Sequence, residues 1–274
     1  MSARVVVLGA TGRMGRQIAA EVAQAGGMGV SLVGGVASRA RPESEARALG
    51  YPAVADVAGA GPLLEAADAV LDVSGPRALG ELLVAWRPVL EGRALVTGTT
   101  GLDEREEAAL AALAERAPVL RAANFSPGVA ALNALVRDLA ARFASAEWDI
   151  EVVETHHRGK ADAPSGTALA LARAAAAARG VELDDVRVDG RTGRTGDRPP
   201  GEVGLHAVRG GGVVGEHRVL FLGAHERLEL THRADDRALF AAGALRACAW
   251  IRGKAPGLYG MADALGLGDA LPPS

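Results

Sequence analysis

Val5-Val6-Val7-Leu8-Gly9-Ala10-Thr11-Gly12-Arg13-Met14-Gly15 decides the fold. Four apolar residues in succession read as a short strand buried on both faces, the habit of a parallel sheet. Three glycines follow, and Ile18 and Val22 carry a helical pattern to about Gln24. Glycine lets a backbone turn tightly and approach a pyrophosphate, which the helix N-terminus then meets with free N–H groups and the positive end of its dipole. The spacing is G-x-x-G-x-x-G rather than the strict G-x-G-x-x-G, so the strand-turn-helix context carries the reading. The alternative is a tight turn that binds nothing.

Outward from this turn, Val30 to Val36 and Ala69 to Val73 read as strands, and about Pro76 to Glu91 as a helix. Ala94 to Val96 reads as a strand, about Asp103 to Glu115 as a helix, and Val119-Leu120 with its neighbours as another strand. Short apolar strands alternating with helices predict a parallel α/β sheet with right-handed crossovers. The pattern then changes. A helix near Val129 to Phe143 precedes a strand from Trp148 to His156 and a helix from about Ser165 to Arg179. Gly190 to Gly204 reads as a long loop, of a length that is usually functional or disordered. Strands follow at Val203 to Arg209, His217 to Leu222 and Arg227 to His232, the last two joined as a hairpin through Gly223-Ala224-His225. Leu228 and Leu230 alternate with polar residues, so this last strand is expected to be half-buried. Successive strands predict a mixed or antiparallel sheet in this second module. A final helix, about Asp235 to Arg252, is expected to pack back on the first.

The 274 residues allow one large domain or two modest ones, and 49% hydrophobic residues place the chain among globular proteins. A net charge of −3 with both signs interspersed offers no clustered basic face for a nucleic acid. No stretch approaches the roughly 18 apolar residues of a membrane span. The apolar run Val5 to Gly9 is too short for a signal peptide. Cys248 is the single cysteine, so no internal disulfide forms; it sits in an apolar helical stretch and reads as a core thiol. The expectation is a soluble cytoplasmic protein with neither a nucleic acid nor a membrane as partner. Lys160 and Lys254 are the only lysines among 30 basic residues, so a lysine that remains either sits where guanidinium cannot substitute or was retained by chance. All six histidines lie between His156 and His232, which marks the middle of the chain as a distinct chemical module.

Two stretches bear on a dinucleotide. NAD sites usually place an acid at the end of the second strand, whereas NADP sites remove it and add a cation. Here the stretch is Gly35-Val36-Ala37-Ser38-Arg39-Ala40-Arg41, with a hydroxyl, two arginines and no carboxylate. NADPH is therefore expected, with NADH possible and weaker; the alternative is that both arginines are solvated loop charges. Gly98-Thr99-Thr100-Gly101 and Ala123-Asn124-Phe125-Ser126 follow later strands of the same sheet, and ligands bind at the carboxyl ends of parallel strands.

The densest chemistry is Glu154-Thr155-His156-His157-Arg158-Gly159-Lys160-Ala161-Asp162-Ala163-Pro164-Ser165-Gly166-Thr167. Titratable groups end a strand, and Ser165-Gly166-Thr167 opens a helix whose N–H groups, with the Thr167 hydroxyl, can hold a carboxylate. Lys160 can supply a compact cation or a proton, and a histidine is a proton donor near neutral pH. This suits reduction of a C=C or C=N bond in an anionic substrate, with hydride from a nicotinamide and a proton to the neighbouring atom. Adjacent residues on a strand face opposite ways, so His156 and His157 do not share a metal, and no metal is expected. His217 and His232 read as structural or solvated. The bland alternative for the segment is a surface loop followed by a capped helix.

These residues resemble a known family. Gly9 to Gly15, Gly98 to Gly101, Asn124-Phe125-Ser126 and above all His156 to Thr167 closely resemble the dihydrodipicolinate reductases, with further matches at Arg209-Gly210-Gly211, Gly215-Glu216-His217 and Gly257-Leu258-Tyr259-Gly260-Met261. The resemblance implies reduction of 4-hydroxy-tetrahydrodipicolinate, via dihydrodipicolinate, to tetrahydrodipicolinate in diaminopimelate and lysine biosynthesis. It implies a homotetramer. It also implies a Rossmann-like domain of residues 1–126 and 235–274, and a central α+β domain of residues 127–234 with a mixed, largely open sheet that binds the small dicarboxylate substrate and builds the tetramer. By the same resemblance His156 is the proton donor and acceptor and Lys160 the second proton donor. His157, Gly166 and Thr167, with Ser165, are then substrate contacts. Gly9, Ala10, Thr11, Gly12, Arg13, Met14, Arg39, Gly98, Thr99, Thr100, Ala123, Asn124, Phe125 and Ser126 are cofactor contacts. Many members carry an acid before the arginine at the end of the second strand and use NADH well; Ser38 stands there in this chain. Pro127 follows Ser126 where some members have valine, which stiffens the hinge without altering the chemistry.

Two rival readings make different demands on the sequence. A short-chain dehydrogenase needs Tyr-x-x-x-Lys, but Tyr51 is followed four on by Ala55 and Tyr259 by Asp263. A redox-sensing protein that binds NADP without chemistry has no need of the His156 to Lys160 cluster. The Ser38-Arg39 argument is checked by comparing the two nucleotides at equal concentration: NADPH is expected to support the faster turnover, and equal rates with NADH would contradict it.

Overall fold

The Val/Leu-rich runs are strands, and they belong to two sheets. The computed structural model describes residues 2–24 and 26–267; within the span 235–274 assigned above to the first domain, residues 268–274 lie outside the described residues. The chain divides into a first unit that runs to Phe125 and resumes from Ala238 to Gly266, and a second from Ser126 to Arg237.

The first unit runs β1 (Ala3–Leu8), α1 (Arg13–Gln24), β2 (Val30–Val36), α2 (Glu43–Ala48), β3 (Val54–Ala55), α3 (Gly61–Ala66), β4 (Ala69–Asp72), α4 (Pro76–Ala85), α5 (Arg87–Leu90), β5 (Ala94–Thr97), α6 (Glu104–Ala114) and β6 (Pro118–Arg121). The second unit contributes α7 (Pro127–Arg142), β7 (Asp149–His156), α8 (Gly166–Ala178), α9 (Leu183–Val186), β8 (Arg187–Asp189), β9 (Val203–Arg209), β10 (Gly215–Leu222) and β11 (Arg227–Ala234). The chain then returns to the first unit with α10 (Ala238–Ile251), β12 (Gly257–Tyr259) and α11 (Met261–Ala264).

The first sheet has the order β12-β6-β5-β4-β1-β2-β3, with every pairing parallel. Strand order reverses beside β1, so the carboxyl ends of β1 and β4 flank the switch point where open α/β sheets bind ligands. Val5, Val6, Val7 and Leu8 are almost wholly buried, as expected of a strand covered on both faces. α10 packs on α1 and on β5 of this unit, with Cys248 in its buried face. Burial pushes the Cys248 thiol up, so it stays protonated and inert.

One expected helix is two. The helix read from Pro76 to Glu91 stops at Ala85, because Trp86 leaves helical geometry and its indole Nε1 donates to Val57 O at 2.6 Å. A distant carbonyl captures this residue, which no local periodicity could announce.

The second sheet has the order β11-β10-β7-β9-β8, antiparallel from β11 to β7 and parallel from β7 to β8. One face carries Ile150, Val152, Val203, Leu205, Val219 and Phe221 against Leu132, Val136, Leu171 and Ala175 of α7 and α8. The other face carries Val153, Leu220 and Leu222, which stay partly exposed. On β11 only Leu230 packs against this core; Leu228 shares the inner face but is 37% exposed, because β11 is the sheet's edge. The stretch after Gly190 is not loose. Arg191 and Arg198 each donate to Oε1 of Glu151 at 3.0 Å, and His206 meets its Oε2 at 2.7 Å. Burial works against the charged form of Glu151 most strongly, yet His206, Arg198 and Arg191 together hold its carboxyl below the usual range.

The glycine turn is sterically closed to larger residues. A Cβ at position 15 would lie 2.4 Å from Gly9 O and 2.7 Å from Ala10 Cα, both backbone atoms. Gly9 itself has φ of 90°, a conformation in which a side chain is strained. Gly15→Ala is therefore expected to open the turn, lower stability by roughly 1–3 kcal/mol and weaken dinucleotide binding. Urea melts and nucleotide titrations check this; wild-type values in both would contradict it.

Candidate active site

The carboxyl edge of the first sheet is assembled from five successive strand ends. After β1, the N–H groups of Gly9 and Ala10 donate to Val36 O at 2.9 and 3.2 Å, which folds the turn back onto β2. Ala10 is fully buried, whereas Gly12 and Arg13 are exposed at the mouth of the turn and Thr11 and Met14 are partly so. Gly35 lets this happen: a Cβ there would meet the Ala10 methyl at 2.4 Å. Tyr51, buried, donates its hydroxyl to Gly15 O at 2.6 Å and locks the first turn of α1. Arg39 is exposed just beyond β2. Arg41, read alongside it, bridges to Val54 and pairs with Glu45 at 3.5 Å, so it serves the fold locally.

Asp72, fully buried at the end of β4, organises the next two strand ends. Its Oδ2 accepts from Thr97 Oγ1 at 2.7 Å and its Oδ1 from the Ser74 hydroxyl at 2.5 Å. Thr97 Oγ1 in turn accepts the N–H of Thr99 at 3.2 Å, which sets the course of Gly98-Thr99-Thr100. The Phe125 ring covers Gly98 so closely that a Cβ would fall 2.6 Å from ring Cε2. Thr99 is buried, Thr100 and Ala123 are exposed, and Asn124 is partly so. Sequence reasoning missed Asp72. Its signal was an acid ending an otherwise apolar strand just before Ser74-Gly75-Pro76. Ser126 belongs to the second unit, where its hydroxyl accepts from Val129 N at 3.2 Å as the cap of α7 and meets His232 Nε2 at 3.2 Å.

In the second unit, β7 and the start of α8 converge on one carboxylate. Glu154 and His156 are two apart on a strand, so they share a face. The Glu154 side chain is wholly buried, and His156 Nδ1 lies 2.5 Å from its Oε2. Arg209 reaches across from β9 and donates Nη1 to Oε2 at 2.8 Å and Nη2 to Oε1 at 2.7 Å. The Ser165 N–H donates to Oε1 at 2.9 Å. Ser165 Oγ accepts the Ala168 N–H at 3.2 Å as the cap of α8 and meets His217 Nε2 at 3.2 Å. Arg209 also donates to the Asp162 carbonyl at 2.5 Å, and Lys160 pairs with the Asp162 carboxylate at 2.9 Å. Lys160 and His157 are partly exposed, Gly166 is exposed at the first turn of α8, and Thr167 is partly so. His157 Nε2 meets Arg237 Nη2 at 3.2 Å. His156, Lys160 and Ser165 are thus held by one polar network, and Gly166 and Thr167 follow Ser165 in the first turn of α8. Glu154 and Arg209, the centre of that network, stand in the quoted sequence segments but carry no role there, although Glu154 stands one strand period before His156.

The electrostatics follow from burial and pairing. Burial works against ionised Glu154 most strongly, but Arg209, His156 and the Ser165 N–H together keep its carboxyl below the usual range. Lys160 holds Asp162 low in the same way. His217, 4% exposed and edge-on to His156 with ring centroids 5.2 Å apart, has its pKa pushed down to about 4, chiefly by burial and then by His156. Burial lowers His232 as well. An unfolded histidine titrates near 6.5. Between that pH and about 4 the unfolded chain binds the extra proton, so the stability that neutral His217 supplies is full above the window and is lost as pH falls through it. From pH 7 to pH 5 the wild type is expected to lose about 2 kcal/mol more than His217→Gln in urea unfolding. Equal losses would contradict this account.

Known proteins are similar to this chain over nearly its whole length. Two family models match: "Dihydrodipicolinate reductase, N-terminus" over residues 3–125, and "Dihydrodipicolinate reductase, C-terminus" over residues 128–265. A 4-hydroxy-tetrahydrodipicolinate reductase of Parvibaculum lavamentivorans is 45% identical over 275 residues, covering 96% of this chain and 98% of its own. One of Thiobacillus denitrificans is 46% identical, covering 97% of this chain and 100% of its own. Among solved structures, the fold is similar to dipicolinate-bound dihydrodipicolinate reductase from Paenisporosarcina sp. TG-14, with a TM-score of 0.73 at 24% identity, covering 95% of this chain and 98% of that one. With both halves matched and relatives aligned from end to end, the chain belongs to the dihydrodipicolinate reductase family.

Proposed function

We propose that this protein reduces 4-hydroxy-tetrahydrodipicolinate, via dihydrodipicolinate, to tetrahydrodipicolinate in the diaminopimelate and lysine pathway, using NADPH in preference to NADH. The observation that carries the reading is the network of the second unit. A histidine, a lysine and a capped helix N-terminus are held around one buried carboxylate, in a chain whose full-length relatives bear that activity's name. Dihydrodipicolinate is a small ring with two carboxylates. A helix N-terminus and a compact ammonium suit those charges, and an imidazole suits proton delivery.

The residues of the first unit fit a nicotinamide dinucleotide. The Gly9 to Gly15 turn is held tight by its glycines, and α1 begins at Arg13, so its first N–H groups and dipole suit the pyrophosphate. Exposed Arg39, with Ser38 in place of an acid, suits a 2′-phosphate. The ends of β5 and β6, from Gly98 to Thr100 and Ala123 to Phe125, suit the nicotinamide. When bound, NADPH supplies a hydride to the ring. His156 then gives the proton to the neighbouring ring atom, with Lys160 as second donor. His157, Ser165, Gly166 and Thr167 hold a substrate carboxylate. Lys160 is itself steadied by Asp162, whose carbonyl is pinned by Arg209.

The protein acts as a homotetramer in the cytoplasm. No helix among the described residues is long and apolar enough to cross a membrane. The sheet face bearing Val153, Leu220 and Leu222, opposite α7 and α8, suits association with further copies of the chain.

The direct test generates substrate from pyruvate and aspartate semialdehyde with the preceding synthase and follows loss of NADPH absorbance. Consumption that depends on the synthase is expected, and its absence would remove the assignment. Lys160→Ala is expected to lower turnover by about 10²-fold or more while NADPH binding persists. Unchanged turnover in that variant would overturn the role given to Lys160.

A further inference from the structure

We infer that Glu154 is the positioning residue of the site: paired with Arg209, it holds the His156 imidazole with Nδ1 as donor and Nε2 as the working nitrogen, and it ties the N-terminus of α8 to the same point. The inference rests on the proposed role of His156 as proton donor and adds a group that does not itself touch substrate.

The hydrogen-bond inventory of the carboxylate decides the tautomer. Both guanidinium Nη groups of Arg209 and the Ser165 N–H can only donate, and they take up both Glu154 oxygens. A carboxylate so used is an acceptor and has no proton to give. The 2.5 Å contact from His156 must therefore be Nδ1–H donating to Oε2. In the neutral ring the lone pair then lies on Nε2. In the imidazolium Nε2–H is the bond that breaks when the proton passes to the substrate carbon, its electron pair staying on nitrogen and the ring reverting to the same neutral tautomer.

Gly215 keeps that nitrogen clear. At the first residue of β10, a Cβ would lie 3.0 Å from His156 Nε2. The charged and titratable groups around the ring come from every neighbouring element: Glu154 from β7, Arg209 from β9, His217 from β10, and Lys160 with Asp162 from the loop before α8. Glu154 is the one anion in contact with the ring among them, placed as an acid that orients a proton-carrying imidazole must be.

The same carboxylate couples two jobs that must be in register. Through the Ser165 N–H it sets where α8 begins, and through Nδ1 it sets the ring plane of His156. A substrate carboxylate held at Gly166 and Thr167 therefore meets a proton donor whose position is set by the same two oxygens.

Two measurements test this, with His156→Gln as reference. In wild-type protein with ¹⁵N-labelled histidine, the neutral His156 ring is expected to carry its proton on Nδ1. In Glu154→Gln, kcat is expected to fall about 10²-fold. The limb of the pH–rate profile lost in His156→Gln should move to lower pH in Glu154→Gln, with the KM for NADPH unchanged. Glu154→Asp, which restores the charge, should return part of kcat and the position of the limb. An Nε2–H tautomer in the wild type, or a Glu154→Gln enzyme with an unmoved limb and full kcat, would overturn the inference while a collapsed His156→Gln rate left the proton-donor reading standing. Full turnover in His156→Gln would instead overturn that reading itself. Should Glu154→Gln fail to fold, the wild-type tautomer decides alone.

Discussion

The buried carboxylate of Glu154 is the constraint on which the second unit's chemistry depends. An anion removed from water is costly unless it is paired and its lone pairs are used. Here Arg209 supplies a two-pronged partner, and His156 and the Ser165 N–H complete the set. Removing Arg209 leaves charge uncompensated in a buried site, and removing either other donor leaves a buried lone pair unused, so the network holds its geometry as a whole. The strand β7, the parallel neighbour β9 and the helix α8 are joined at this one point. The loop that carries Lys160 is drawn in through the Asp162 carbonyl.

The first unit reaches its function by steric rather than ionic means. Gly9, Gly15 and Gly35 allow backbone and methyl groups to approach at distances that a side chain would forbid. This lets β1 turn into α1 within a few residues and leaves Gly12 and Arg13 at the mouth of the turn. Asp72 plays a smaller organising part, fixing the ends of β4 and β5 through Thr97 and Ser74. In both units a buried acid orders the chain next to the positions proposed for ligands, but only Glu154 also touches a group proposed to move a proton.

Much of this was legible because local pattern and tertiary role agree. The run Val5 to Leu8 is buried on both faces, and Asp103 caps α6 with Glu106 as a capping box expects. Ser165 opens α8 where its chemistry says it should. What escaped was non-local. Trp86 breaks a helix for the sake of a carbonyl 29 residues away, and Arg198 orders a loop through an acid 47 residues away. α2, α3, β3 and β12 are too short to impose a period, so propensity had nothing to average over. His217 was read as a structural or solvated sheet residue; it is buried, beside His156 and against the cap of α8. Glu154 could have been found from its two-residue spacing to His156, but its partner Arg209 lies 55 residues on, in a parallel neighbour whose register no single sequence discloses.

The proposed reaction is one exchange: a hydride that a nicotinamide would supply and a solvent-derived proton that His156 would relay, added to adjacent ring atoms. Reducing the substrate in ordinary water with NADPH deuterated at both C4 positions tests it directly by product NMR. One deuterium per product ring, beside a position filled by solvent hydrogen, is the predicted result. A product without deuterium, or with the label washed out into water, would contradict it.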